Sequence, residues 1–283
     1  MDAEWEMAEG FKSARRRVLD WLRLFGLNLN HLRLSAQGWP RFRRDWAEFR
    51  RQMRAGPPIF REGKLYPCLY DKDDSSGTGK GAYFHQDILV ARKIYEANPR
   101  RHVDIGSRID GFVAHVAVFR EIEILDIRPL KSDVHNIKFT QADLSGELPP
   151  ELVGCCDSLS CLHTIEHFGL GRYGDPIKYT GYLEGLDNMH RILVPGGCFY
   201  FSTPIGPQRV EFNAHRIFSV RYLLELLTPR YEVLSFAYVT DEGELREGID
   251  LRRPEVQAGI EDNFGCQYGC GIFELRKKAA PRG

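Results

Sequence analysis

The segment from Ser160 to Gly174 contains His163, Glu166 and His167 in the pattern H-x-x-E-H. On a helix this spacing can hold zinc and drive hydrolysis, provided both histidines share one helix face and a further ligand follows. Here the string follows an apolar run and leads into Phe168-Gly-Leu-Gly171, so a long helix is not expected and the protease reading is set aside. Two chemistries remain. A histidine titrating near neutral pH can take a proton from a hydroxyl, oriented by a nearby carboxylate. This makes His163 or His167 the base and Glu166 the orienter. Alternatively, the three are partial ligands of a divalent metal that lowers a hydroxyl pKa. His215, in Phe212-Asn-Ala-His-Arg216, completes either arrangement. His102, His115, His135 and His190 are expected to be hydrogen-bonded structural residues.

Such side chains need a scaffold, and the chain has one from about residue 100. Strand-like segments at His102–Ser107, Glu121–Ile127, Ile137–Leu144, Asp157–Leu162 and Cys198–Ser202 alternate with helical spacing at Asp110–Arg120, Tyr179–Leu193 and Phe218–Leu227. The helix at 179–193 is expected to stop at Pro195-Gly-Gly197. Tyr231–Val239 and Gly271–Leu275 read as a closing antiparallel pair. The alternation predicts an α/β fold with a mainly parallel sheet of seven strands and helices on both faces. Ligands of such sheets sit beyond the carboxyl ends of the strands.

Three acids stand at those ends. Asp104 begins the turn Asp104-Ile-Gly106-Ser107, where glycine lets backbone N–H groups approach a ligand. Asp126 ends the second strand roughly 20 residues on, where a carboxylate accepts ribose hydroxyls. Asp143 ends the third and is placed for the exocyclic amine of an adenine. Acids after strands are often mere turn formers, but in this order they point to an adenosine-bearing cofactor.

The chain resembles the class I S-adenosylmethionine-dependent methyltransferases in Val103-Asp-Ile-Gly-Ser107, Leu125-Asp-Ile127, Gln141-Ala-Asp-Leu144, the fourth-strand segment with Glu166-His167, and Arg191-Ile-Leu-Val-Pro-Gly-Gly197. More narrowly it resembles a bacterial family numbered 268 among the domains of unknown function, methyltransferase-like and associated with surface-polysaccharide genes. That pattern covers about residues 64–277 and includes Tyr83-Phe-His-Gln-Asp87, His102–Ile109, Phe212–Arg216 and Asn263-Phe-Gly-Cys266. The resemblance implies a Rossmann-like class I methyltransferase fold with S-adenosyl-L-methionine as cofactor. The implied cofactor residues are Phe84, His85, Gln86, Asp104, Gly106, Ser107, Arg108, Asp126, Ile127, Asp143, Leu144 and Ser160. It also implies O-methylation of a sugar or glycan intermediate. Arg172 and Tyr173, in a glycine-flanked loop, and Arg209, after Thr203-Pro-Ile-Gly206, are candidates for the acceptor pocket. Arg108 and Asp110 stand where the family's turn carries its second and third glycines. Arg108 either narrows the cofactor cleft or holds the methionine carboxylate as a fork. A scaffold that keeps the fold without the chemistry is the alternative, and an NAD(P)-dependent sugar-modifying enzyme a weaker one, since G-x-G-x-x-G is absent.

The 283 residues carry 39 basic and 39 acidic side chains, so overall charge indicates no nucleic-acid partner. Residues 1–62 read as a basic, tryptophan-rich helical extension before an α/β domain at 63–279. It holds eleven arginines from Arg15 to Arg54 and all four tryptophans, Trp5, Trp21, Trp39 and Trp46. Val18, Leu19, Trp21, Leu22 and Phe25 sit close to helical spacing. The extension is either a cap on the domain or on a second subunit, or a peripheral helix on an anionic membrane surface. No run spans a bilayer, no export signal is evident, and seven cysteines without scaffold spacing suit a reducing cytoplasm. Cys266 and Cys270 are read as buried thiols rather than zinc ligands. The polar loop Asp71–Gly81 lacks the serine or threonine and the preceding strand of a phosphate loop.

Overall fold

The computed structural model describes residues 24–57, 60–72 and 77–279. The helical spacing expected at Val18–Leu22 lies outside them, as do Trp5 and residues 73–76 of the polar loop. The chain divides into two compact units, Met1–Thr78 and Gly79–Gly283.

The first unit is built on α1 (Leu29–Ala55). Asn28 caps it, its side chain accepting from the N–H groups of Asn30 and His31, both at 3.1 Å. The chain then returns along the helix. Tyr70 stacks on His31 with ring centroids 5.1 Å apart. The Leu69 carbonyl comes so near Gly38 that a Cβ there would lie 1.8 Å from its oxygen. Only glycine permits that crossing.

The second unit opens with α2 (Ala82–Ala97), which ends at Asn98 in the left-handed region. An eight-stranded sheet follows, in the order β3-β2-β1-β4-β5-β10-β8-β9. Its strands are β1 (His102–Ile105), β2 (Ile122–Asp126), β3 (Ile137–Gln141), β4 (Cys156–Leu162), β5 (Leu193–Ile205), β8 (Tyr231–Val239), β9 (Leu245–Arg246) and β10 (Gly269–Lys277). β3, β2, β1, β4 and β5 pair in parallel. β10 runs antiparallel between β5 and β8. The eighth strand, beyond the seven expected, is the two-residue β9 at the edge, paired with Tyr238 and Val239. β6 (Arg209–Glu211) and β7 (His215–Ile217) form a separate hairpin.

Strand periodicity sends alternate residues to opposite faces. Val103, Ile105, Leu125, Phe199 and Phe201 face one core layer, covered by α4 (Gly181–Ile192) and α5 (Val220–Leu227). Ile122, Ile124 and Tyr200 face the other, covered by α2 and by Phe112, Val113 and Val116. Two local expectations are corrected. The helix expected over Asp110–Arg120 is a π-turn at Ile109–Val113 followed by the four-residue α3 (Ala114–Ala117), because Gly111 leaves helical geometry. α4 ends before Leu193, which is already extended and opens β5, so Pro195-Gly196-Gly197 lies within the strand instead of terminating the helix. All seven cysteines are free thiols, with Cys266 and Cys270 buried. Among the described residues no helix is long and apolar enough to cross a membrane.

Candidate active site

A cleft of about 390 Å³ opens beyond the carboxyl ends of β1 to β4, within the range of about 300–1,000 Å³ common to small-molecule sites. Beneath its floor lies Asp104, which is fully buried. The Ser160 hydroxyl donates to Asp104 Oδ1 at 2.5 Å, and the Ser107 N–H and hydroxyl donate to its two oxygens at 3.0 Å. Burial pushes the carboxyl up to about 6, against the pull of these donors. Because Ser160 gives its proton to Asp104, its oxygen accepts from His102 Nε2 at 3.2 Å. His102 Nδ1 then accepts from the Ser158 hydroxyl at 2.8 Å. Burial holds this imidazole neutral, its pKa pushed down to about 3. The chain His102–Ser160–Asp104 thus fixes the β1 turn from below, and Asp104 and Ser160 support the cleft without lining it.

Gly106 has φ +73° and its N–H donates to the Leu125 carbonyl at 2.9 Å. A Cβ there would lie 2.3 Å from Thr164 Cγ2. Gly106→Ala is therefore expected to cost at least about 1–2 kcal/mol for the left-handed backbone alone, with the displacement of Thr164 added. Denaturant unfolding measures this. Thr164→Ala in the same chain should recover the steric part and leave the conformational part; an unchanged midpoint in Gly106→Ala would show that this approach does not hold the turn.

Asp126 lines the cleft but is already engaged. Arg128 folds back on it, Nε donating to Oδ1 at 3.0 Å and Nη2 to Oδ2 at 2.5 Å, while the Arg128 backbone N–H donates to Oδ1 at 2.8 Å. The same guanidinium reaches the Gly106 carbonyl at 3.3 Å and lies over the Tyr173 ring at 4.6 Å. It therefore spans the cleft from the end of β2 to the loop after β4. Arg108 lines the rim but turns outward, forked onto Asp110 at 2.9 and 2.6 Å. Asp143 Oδ1 accepts from the Ser145 N–H and hydroxyl at 2.8 and 2.6 Å. Buried Asn188, on α4, pins this turn by donating to the Leu144 and Gly146 carbonyls. Ile127 and Leu144 give the same wall its apolar surface.

Within the H-x-x-E-H string only Ile165–His167 is helical, a single 3-10 turn, and His163 precedes it with φ +50°, so the three side chains do not share a long helix face. Glu166 is buried and receives His163 Nδ1 at 3.0 Å, while His167 Nε2 stays 3.9 Å away. Burial disfavours a charged His163, yet the Cys270 sulfur and the Glu166 carboxylate together raise its pKa well above 6.5. His167 is the reverse case. Its Nδ1–H donates to the Ala214 carbonyl at 2.7 Å, leaving Nε2 as the basic nitrogen. Burial lowers its pKa, outweighing Glu166. Both histidines line the cleft. Among the described residues no group of three His, Cys, Asp or Glu side chains is arranged to hold a metal ion.

Gln86, Ser107 and Tyr173 also line the cleft. Gln86 accepts from the Ser202 hydroxyl at 2.5 Å and so ties α2 to β5. Phe84 is exposed, packed edge-on against His85, and neither joins the wall. His215 is drawn off to Glu211 at 3.1 Å and lies beside Tyr268, so it does not complete the arrangement of His163 and His167. Arg209 likewise bonds Glu211 and the Pro207 and Gln267 carbonyls, away from the cleft. Arg172 lies over the Tyr173 ring at 5.2 Å and donates to the Ala214 carbonyl at 3.0 Å.

Several residues went unselected in the sequence. Asp175 accepts from the N–H groups of Gly169, Gly171 and Tyr173 and shapes their loop. Buried Arg216 donates to the Phe168 and Tyr179 carbonyls at 2.5 and 2.9 Å and clamps the segment after His167. Asp87, buried at the cleft wall, has its pKa raised by burial. Asp87 and Arg216 close the motifs Tyr83–Asp87 and Phe212–Arg216; Arg128 and Asp175 carry no sequence signal beyond their charge.

The strand order, with β3-β2-β1-β4-β5 in parallel, β10 antiparallel between β5 and β8 and the short β9 antiparallel at the edge, and a cleft over the β1 turn define a Rossmann-like class I methyltransferase fold. Residues 140–263 match the family described as "Caenorhabditis protein of unknown function, DUF268". The match is shorter than the expected 64–277, and its description names neither bacteria nor polysaccharides. No curated protein matches. Among solved structures the chain is similar to the N-methyltransferase NodS from Bradyrhizobium japonicum WM9 in complex with S-adenosyl-L-homocysteine, at 13% identity and TM-score 0.46 over 75% of this chain and 92% of that one. It is also similar to the 1,6-didemethyltoxoflavin-N1-methyltransferase of Burkholderia thailandensis with bound 1,6-didemethyltoxoflavin and S-adenosylhomocysteine, at 16% and 0.47 over 71% and 80%. The [4+2]-cyclase SpnF gives 15% and 0.47 over 72% and 86%. At these scores the fold assignment rests on the strand order itself.

Proposed function

We propose that the chain is an S-adenosylmethionine-dependent methyltransferase acting on a hydroxyl of a sugar or glycan intermediate. The observation that carries this reading is the arrival of Asp126 and Asp143, from the ends of two adjacent parallel strands, in one cleft that also holds His167, with buried Asp104 fixing the β1 turn beneath it. The cofactor would supply a methyl group on a good leaving group. The chain's part is to bind, orient and move a proton. The Gly106 turn offers backbone approach, Asp126 suits ribose hydroxyls, and Asp143 with Ile127 and Leu144 suits an adenine. His167, with its tautomer set by Ala214, supplies a neutral Nε2 to take the hydroxyl proton. Arg128 and Arg172 both lie over the Tyr173 ring, so a sugar ring would stack there by displacing a guanidinium group. Arg172, which has no carboxylate partner among the described residues, suits a phosphate or carboxylate on the acceptor. The glycan element rests on the family resemblance; the residues themselves favour a polar acceptor.

The Arg128 fork on Asp126 favours a second reading, a methyltransferase-fold scaffold whose cofactor site is closed. Calorimetric titration and thermal shift with S-adenosylmethionine separate the two. Binding heat and a raised melting temperature are expected from the enzyme; the absence of both would leave the scaffold.

A further inference from the structure

From α1 we infer a docking surface for an anionic lipid bilayer, independent of the methyl-transfer reading. At about 1.5 Å per residue the 27-residue helix is about 40 Å long, and it buries none of its side chains. Leu32, Trp39, Phe42, Trp46, Phe49 and Met53 recur at helical spacing along one face. Trp39 stacks on Phe42 and Trp46 on Phe49, with centroids 5.6 and 6.1 Å apart, yet Trp39 is 42% and Phe49 57% exposed. The returning chain adds Phe60, Leu65 and Tyr66, all exposed, and encloses an apolar-lined groove of about 590 Å³ against the helix. A water-facing surface of this kind marks a site of association.

The charge pattern selects the partner. α1 carries Arg33, Arg41, Arg43, Arg44, Arg50, Arg51 and Arg54 against only Asp45 and Glu48. Arg51 pairs with Glu48 and Arg50 with Glu62; the other five have no acidic partner among the described residues. A helix–helix seam would favour leucine and isoleucine at the repeating positions, and a nucleic-acid site would not need exposed Leu29 and Leu32. Aromatic rings interleaved with unpaired arginines fit the headgroup layer. There tryptophan and phenylalanine sit at the acyl boundary, and guanidinium groups reach lipid phosphates along their aliphatic stems.

The test is co-sedimentation of the full chain with vesicles of phosphatidylcholine alone or mixed with phosphatidylserine. Binding to the mixed vesicles, weakened by salt, is expected. Replacing Arg41, Arg43 and Arg44 with glutamine should reduce it roughly 100-fold, at about 1 kcal/mol per arginine. Trp39→Ala with Phe49→Ala should reduce it independently. Arg41, Arg43 and Arg44 have no acidic partner among the described residues, so their replacement should leave the melting temperature unchanged; for Trp39→Ala with Phe49→Ala, which removes two ring stacks, binding is compared at a temperature where both proteins are folded. Equal partitioning to both vesicle types, or self-association abolished by the same substitutions without vesicle binding, would overturn the inference.

Discussion

Asp126→Ala is expected to weaken S-adenosylmethionine binding by roughly 100-fold or more, the largest cofactor effect of any single substitution in the cleft. A carboxylate accepting from two ribose hydroxyls makes two charge-assisted bonds, each worth about 1.5–3 kcal/mol. The chain's own competitor sets a countercurrent. Arg128 holds both carboxylate oxygens, and its guanidinium must leave at least one before ribose can bind there. The pair is part-exposed, so the fork contributes on the order of 1 kcal/mol after solvent screening. Arg128→Ala should therefore tighten cofactor binding by roughly fivefold, and more at low salt than at high salt. In the double variant the gain should vanish, because there is no carboxylate left to uncover. Titration calorimetry on the three proteins checks this. Weaker binding in Arg128→Ala would mean that its contacts to Gly106 and Tyr173 build the site, so that it is not an occupant to be displaced. If Asp126→Ala binds as tightly as the parent, the ribose assignment is wrong.

Arg128 also shows where sequence reading stops. Asp104, Asp126 and Asp143 were legible because each falls near the carboxyl end of a strand-like segment, and parallel strands end on the ligand side of the sheet. Whether such an acid is free is set by a side chain that folds back on it, and one arginine in 39 basic residues announces nothing. The motif Phe212–Arg216 makes the same point. His215 has the more reactive side chain, but the hairpin gives it to Glu211 and turns Arg216 inward onto three backbone carbonyls. Glu166 was legible as a carboxylate beside His163 or His167, but not which of the two it holds: the backbone brings it to His163 and leaves His167 to the Ala214 carbonyl, 47 residues away in the chain. The mainly parallel sheet and its antiparallel β8–β10 pair followed from the pattern of elements. The departures came from local backbone terms, Gly111 interrupting a helix and Leu193 turning extended before the proline. An exposed helix such as α1 is visible as a pattern of arginine and aromatic residues, but whether its apolar face is covered belongs to tertiary structure.

The division of labour between the two histidines makes the second large prediction. His167→Ala should lower turnover by roughly 10²–10⁴-fold, the usual contribution of a positioned general base, with little loss of stability. The pKa of His167 is lowered from 6.5, so its acid limb in a rate profile should lie below 6.5 and the base should be fully available at neutral pH. Turnover in His167→Ala should lose that limb. His163→Ala should fail differently. Removing the imidazole leaves Glu166 as a buried carboxylate without its partner, a loss of about 3–5 kcal/mol for a buried pair broken on one side. The pH dependence has the corresponding sign. With the folded pKa of His163 above the unfolded value near 6.5, the stabilisation is fully present below about 6.5 and is lost as pH rises through the elevated folded value. Unfolding midpoints measured across neutral and alkaline pH should therefore converge for the parent and His163→Gln, while His167→Ala keeps the parent's slope. If instead His163→Gln leaves stability intact and removes turnover, the roles are exchanged: His163 is the group that meets the acceptor and His167 a support anchored on Ala214.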